Sequence, residues 1–225
     1  FPTRRSSDLQ IRIRGYVIPS FRYSHNTSAT AVATPLKGFK VKIMDLDTFF
    51  HDELASVYTD SNGYFDVYVN NQPSENGVDL YIKLEFDDNI MDIKSSSLFA
   101  APYTWESTVR QNLQVGDYNF GTLELSSLPI NLEGAFSIWY WIKKGSDYYA
   151  QNSSINSLIP KVNVNWEDGV GTGAYHSGST IMIGGDHADA ACFDADVILH
   201  EYGHHIMTYT AGDVPGAGGN HTYIT

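Results

Sequence analysis

Residues Asp194–Tyr209 read DADVILHEYGHHIMTY, and the fold of the second half of the chain turns on whether that run is a helix. Asp194 or Asp196 can cap its N-terminus, where an acidic side chain also suits the positive end of the helix dipole. From Val197 to Met207 nearly every residue outside His200-Glu201-Tyr202-Gly203-His204 is apolar or aromatic, so the helix is expected to be buried on most sides. Gly203 costs about 1 kcal/mol against alanine in a helix interior. Its presence asks for a reason, such as the close approach of another backbone.

On a helix, positions i and i+4 lie on one face, one turn apart. His200 and His204 can therefore offer two imidazole nitrogens to one cation, and neutral imidazole suits Zn2+ at about 2.0–2.1 Å. Glu201 is rotated by about 100°, which keeps its carboxylate off the metal but within reach of a water beside it. Zinc lowers the pKa of such a water towards about 7, and the carboxylate takes its proton as general base. That is the chemical sense of H-E-x-x-H: His200 and His204 as zinc ligands, Glu201 as the catalytic residue. The rival reading is a buried helix with satisfied core histidines. Two imidazoles and a carboxylate buried without partners would cost about 1–3 kcal/mol each, and a metal removes that difficulty.

Composition narrows the classes. The 225 residues suffice for one large domain or two small ones, and 42% hydrophobic with 18% charged is ordinary for a folded protein. A net charge of −12 repels phosphate backbones, which argues against nucleic acid or an anionic membrane as partner. No apolar run approaches the roughly 20 residues of a membrane span. The single cysteine, Cys192, rules out an internal disulfide framework, and its expected role is that of a small buried residue. Residues 1–9 carry no periodicity and no hydrophobic signal segment, and read as a non-native or disordered leader.

The two halves differ in texture. Between residues 10 and 126, IRIRGYVI (11–18), FKVKIMD (39–45), YFDVYV (64–69), VDLYIKLEF (78–86) and YNFGTLEL (118–125) read as strands, several of them alternating clearly. The turn TDSNG (59–63) leads into the third, with Asn62-Gly63 tolerant of positive φ. Short strands at this spacing predict an all-β antiparallel sandwich. From residue 127 the pattern becomes α+β. GAFSIWYWIKKG (134–145) has helical spacing and ends in two lysines and a glycine. KVNVNW (161–166) and STIMIGG (179–185) read as strands, and GVGTGAY (169–175) as a flexible turn.

The first half resembles the transthyretin-like or carboxypeptidase-regulatory-like sandwiches. The matching pieces are Gly15 to Ile18, Asp45 to Asp47, and Thr59-Asp60 with Gly63 and Phe65. The resemblance covers about 110 residues and implies an accessory domain, with a structural role ahead of carbohydrate or surface binding.

VILHEYGHHI looks very like the active-site helix of zincin metallopeptidases of the HEYGH variety. That resemblance implies the N-terminal α+β part of a zincin catalytic domain over residues 127–225 and Zn2+ as cofactor. It also implies a protein or peptide substrate held on the sheet's edge strand, a part for which residues 179–185 are placed. A third ligand is missing. The metzincin pattern H-E-x-x-H-x-x-G-x-x-H fails, because Met207 and Thr210 stand where its glycine and histidine would be. No glutamate follows Glu201, and the in-chain substitutes are His205, Asp213 and His221. His205 is expected to point elsewhere and pack. GGNHTYIT (218–225) resembles the lead-in to a helix that, in similar proteins, carries the third ligand as a glutamate. The domain is therefore expected to be truncated at its C-terminus, and the chain as given to be inactive.

Asp186, His187, Asp189, Asp194 and Asp196 form an acidic stretch better read as a loop and helix cap than as a calcium site. The combined expectation is a multidomain, exported, zinc-dependent endopeptidase. The alternatives are a surface or adhesion protein with a degenerate zincin-like domain, and a sandwich-based carbohydrate-binding protein.

Overall fold

The computed structural model describes residues 10–24, 29–47, 51–70, 77–153, 159–185 and 191–210. The leader, Asp186, His187, Asp189, Asp213 and His221 lie outside the described residues. The chain runs β1 (Gln10–Tyr16), β2 (Ser20–Phe21), β3 (Val32–Ala33), β4 (Lys40–Leu46), β5 (His51–Tyr58), β6 (Tyr64–Asn70) and β7 (Val78–Glu85). There follow β8 (Met91–Lys94), β9 (Thr104–Glu106), β10 (Arg110–Leu113) and β11 (Gly116–Thr122). Then come α1 (Ile130–Asn152), β12 (Val162–Trp166), β13 (Val170–Ser177), β14 (Thr180–Gly185), a 3-10 turn at Ala191–Phe193 and α2 (Ala195–Thr210). The protein is thus rich in β structure, with two α-helices and several sheets among the described residues.

It divides into two compact units. One comprises Phe1–Ser20, Ala33–Glu85 and Thr104–Ser127; the other Phe21–Val32, Phe86–Tyr103 and Leu128–Thr225. Two stretches within the span 10–126 thus belong with the second unit.

The first unit holds a three-stranded sheet in the order β11-β1-β6 and a larger one in the order β10-β7-β4-β5, with β9 also on β7. Ile11 and Ile13 of β1, Val41 and Ile43 of β4, and Leu80, Ile82 and Leu84 of β7 are all fully buried. Their alternation with half-buried polar residues is the period of 2 that the sequence displays. The wholly antiparallel arrangement expected from sequence fails at one ladder, because β1 pairs β11 in parallel, Ile11 with Gly116 through Arg14 with Asn119. Alternation specifies a face but not a strand's direction.

The turn into β6 explains its own sequence. The Asp60 carboxylate accepts the backbone N–H of Asn62 at 2.8 Å and of Tyr64 at 2.9 Å. The Thr59 hydroxyl accepts the Phe39 N–H at 2.9 Å and donates to the Leu36 carbonyl. Gly63 has φ +73°, and a Cβ there would lie 2.5 Å from the Val17 carbonyl oxygen, so no other residue fits. Asp45, on β4 of the larger sheet, is buried and accepts the Asp79 N–H at 2.9 Å. Burial pushes its carboxyl above the ordinary value.

The second unit is built on the sheet β13-β14-β12-β8. β12 runs parallel to both β14 and β8, and β13 is antiparallel to β14. Met91 and Ile93 of β8 sit beside Val162 and Val164 of β12, all four fully buried, which is why residues from the middle of the chain join this unit. α1 is longer than the sequence suggests. Lys143-Lys144-Gly145 does not end it; the helix continues to Asn152. Gly145 is a packing site instead, where a Cβ would meet Leu199 Cδ2 at 3.0 Å and Tyr202 Cδ1 at 3.1 Å of α2. Gly134 likewise lies against Trp166 and Cys192. The close approach of another backbone anticipated at Gly203 is not found: nothing described lies within 4 Å of a Cβ there, and it is side chains that crowd Gly145. Residues 169–175, expected to be a turn, are largely strand: Gly171 and Gly173 adopt positive φ within β13 and break its register between Val170 and Ala174.

Candidate metal centre

α2 starts at a cap of the expected kind. Asp194 Oδ1 accepts the N–H groups of Asp196 at 2.9 Å and Val197 at 3.2 Å, satisfying two donors that the first turn leaves open. From there Ile198, Glu201, Tyr202 and His205 are buried, the i, i+3, i+4, i+7 spacing of a single face. His200 is exposed and His204 half-buried on the other side. The H-E-x-x-H therefore straddles the edge of the buried face, with its carboxylate inward and its imidazoles outward.

The two imidazoles converge. His200 Nε2 and His204 Nε2 are 3.0 Å apart, with ring planes at 83° and ring centres 4.6 Å apart. At that separation the pair either shares one proton or directs two lone pairs at one cation. Two nitrogens bound to a tetrahedral zinc at about 2.0–2.1 Å lie about 3.3 Å apart, so a shift of a few tenths of an ångström fits the ion. The donors and their spacing are thus compatible with two of the ligands that a tetrahedral zinc would need. Among the described residues no group of three or more His, Cys, Asp and Glu side chains is placed to hold a metal.

His205 is fully buried and Nε2 lies 2.9 Å from the Pro160 carbonyl oxygen, to which it donates. Burial lowers its pKa. Its ring stacks on Tyr202 at 5.9 Å and an interplanar angle of 19°. It packs away from His200 and His204, as its place on the helix requires.

One residue of this neighbourhood escapes sequence reading. His176, on β13, stands with its ring centre 5.5 Å from that of His205. Burial pushes its imidazole below the ordinary value, repulsion from His205 and His204 acts in the same direction, and Glu201 opposes them. A strand histidine therefore neighbours the general-base candidate and one ligand candidate. The signal is in the pairing: His176 lies opposite Ile181 and Ala174 opposite Ile183, both isoleucines being buried. Opposed residues share a face, so His176 must turn inward once that register is known.

The edge of the sheet also differs from expectation. β13, not β14, is the terminal strand beside α2, because β14 is paired on both sides. Cys192 is fully buried, and burial raises its thiol well above the ordinary value, which makes it an inert packing residue.

No family model matches the chain, and no curated protein matches it. Among solved structures, a 9R-lipoxygenase from Cyanothece PCC8801 is similar at 16% identity with a TM-score of 0.38, over 70% of this chain and 27% of the lipoxygenase chain. The chain thus spans less than a third of that protein's length, and a likeness this slight leaves the functional reading to the site itself.

Proposed function

We propose that the protein is a zinc-dependent endopeptidase with Glu201 as general base and His200 and His204 as two of its metal ligands. The observation that supports this reading is the meeting of the two Nε2 atoms at 3.0 Å beside a glutamate on one capped helix. Zinc held there supplies Lewis acidity to the water and the scissile carbonyl. Glu201, one residue round from the ligand face, takes a proton from the attacking water at its carboxylate. It then delivers that proton to the departing amine. An extended substrate adds to the outer side of β13, to which no strand pairs among the described residues. His176 stands on that strand with its ring beside His205 of α2.

A zinc titration of the protein tests the reading. About one zinc per complete chain is expected, with affinity falling by a hundredfold or more in His200→Ala and in His204→Ala. Glu201→Gln should retain zinc and lose peptide hydrolysis. Zinc binding that survives both histidine substitutions would sink the assignment. Zinc binding without hydrolysis in the full-length protein would favour a non-catalytic surface protein instead.

A further inference from the structure

The solvent face of the sheet β11-β1-β6, wholly within the first unit, has a chemistry of its own. Its inner face buries Ile11, Ile13, Phe65 and Val69. On the outer face the β1–β6 register sets Tyr16 opposite Tyr64, Arg14 opposite Asp66 and Arg12 opposite Tyr68. The β1–β11 register sets Arg12 beside Asp117. These side chains form one continuous band across three strands.

Its polar groups are held in place. Arg12 donates from Nε and Nη2 to the two Asp66 oxygens at 2.9 and 2.5 Å, and Arg14 Nε donates to Asp117 Oδ1 at 3.0 Å. Arg12 holds the Asp66 carboxyl below the ordinary value, so the pair stays ionised. The Arg12 guanidinium lies 5.7 Å from the Tyr68 ring centre, and the Tyr16 and Tyr64 ring centres are 5.1 Å apart. Tyr68 remains 55% exposed and Tyr16 37%.

We propose that this face binds a neutral oligosaccharide, with sugar rings lying on Tyr68 and on the Tyr16–Tyr64 pair and hydroxyls meeting the Arg12–Asp66 band between them. Sugars present an apolar C–H face and a hydroxyl edge. Exposed aromatic rings receive the first. Flat guanidinium and carboxylate forks, with donors and acceptors side by side, receive neighbouring hydroxyls in the second. Tyr64 and Tyr68 are four residues apart on β6, about 13 Å along the strand. That distance brackets the polar band and calls for a chain of sugars rather than one. The two arginines are matched by two aspartates, so in a chain of net charge −12 this band offers an anionic polymer no surplus cation. Because the ion pairs fix the forks beforehand, little side-chain ordering opposes binding.

The test is binding alone, and so stands apart from the zinc reading. The full chain is titrated calorimetrically with cellohexaose, xylohexaose, mannohexaose and chitohexaose, and with heparin as the anionic comparison. At least one neutral hexasaccharide is expected to bind. Tyr68→Ala and Tyr16→Ala should each weaken it about tenfold, and Tyr68→Phe should keep it. Tyr58→Ala, at an equally exposed position on the other sheet, should leave it unchanged. No binding by any neutral hexasaccharide, binding of heparin only, or binding that survives both tyrosine-to-alanine substitutions would overturn the proposal.

Discussion

Gly63 in the first unit and Gly134 in the second are both closely walled, but by different things. A Cβ on Gly63 would meet a backbone carbonyl oxygen at 2.5 Å, at a φ of +73°. A Cβ on Gly134 would meet the Trp166 indole at 2.5 Å and the Cys192 sulfur at 2.9 Å, with an ordinary helical backbone. The first unit is limited by how its chain turns and the second by how its side chains fill the space against α1. Backbone geometry cannot yield, whereas packed side chains yield a little at a cost.

That contrast can be broken in order of expected effect. Gly63→Ala should cost about 3 kcal/mol, from left-handed strain with a backbone clash added. Hydrogen exchange resolved by segment should show the loss in β1, β4 and β6 and not in α1 or α2. Gly134→Ala should cost about 2 kcal/mol by overpacking, with the exchange pattern reversed. Equal loosening of both units by either substitution would refute the division. Gly203→Ala, with open space around its Cβ, should instead stabilise α2 by up to about 1 kcal/mol while leaving zinc affinity intact. A melting temperature lowered by that change would show that the space is filled.

The smallest effect concerns charge. Burial holds Asp45 above its ordinary pKa, so the folded state binds its proton more tightly than the unfolded state does. The group therefore adds nothing below the unfolded value of about 3.9, destabilises increasingly as pH rises from there to the folded value, and by a constant amount above it. Asp45→Asn should raise the melting temperature at pH 7 and leave it unchanged near pH 3. A gain that is equal at both pH values would contradict the burial account.

How much was legible follows from the same physics. β4, β6 and β7 announce themselves because one face of each is buried and period 2 survives in the sequence. β5, at the edge of its sheet, is mostly exposed along its length, so HDELASVY carries no such pattern. β13 was hidden by the glycines that kink it. The segment Phe86–Tyr103 is flanked in sequence by strands of the first unit, while the partner of its strand β8 lies far along the chain. At the candidate site, the helix, its cap and the meeting of His200 with His204 are local and could be read from spacing. The inward turn of Glu201 and the approach of His176 depend on non-local pairing, which spacing does not encode.

The pairing of β8 with β12 also sets a timetable. Met91 lies 71 positions before its partner Val162. At about 5–20 residues per second of synthesis, roughly 4–14 s pass between the two strands being made. Through that interval Met91 and Ile93, fully buried in the finished molecule, have no sheet to join. Meanwhile β9, β10 and β11 are made and can complete the first unit. A nascent chain that has emerged from the ribosome to about residue 130 would therefore carry a finished β unit and an apolar strand still waiting for its neighbour, the kind of segment that chaperones recognise and that aggregation exploits.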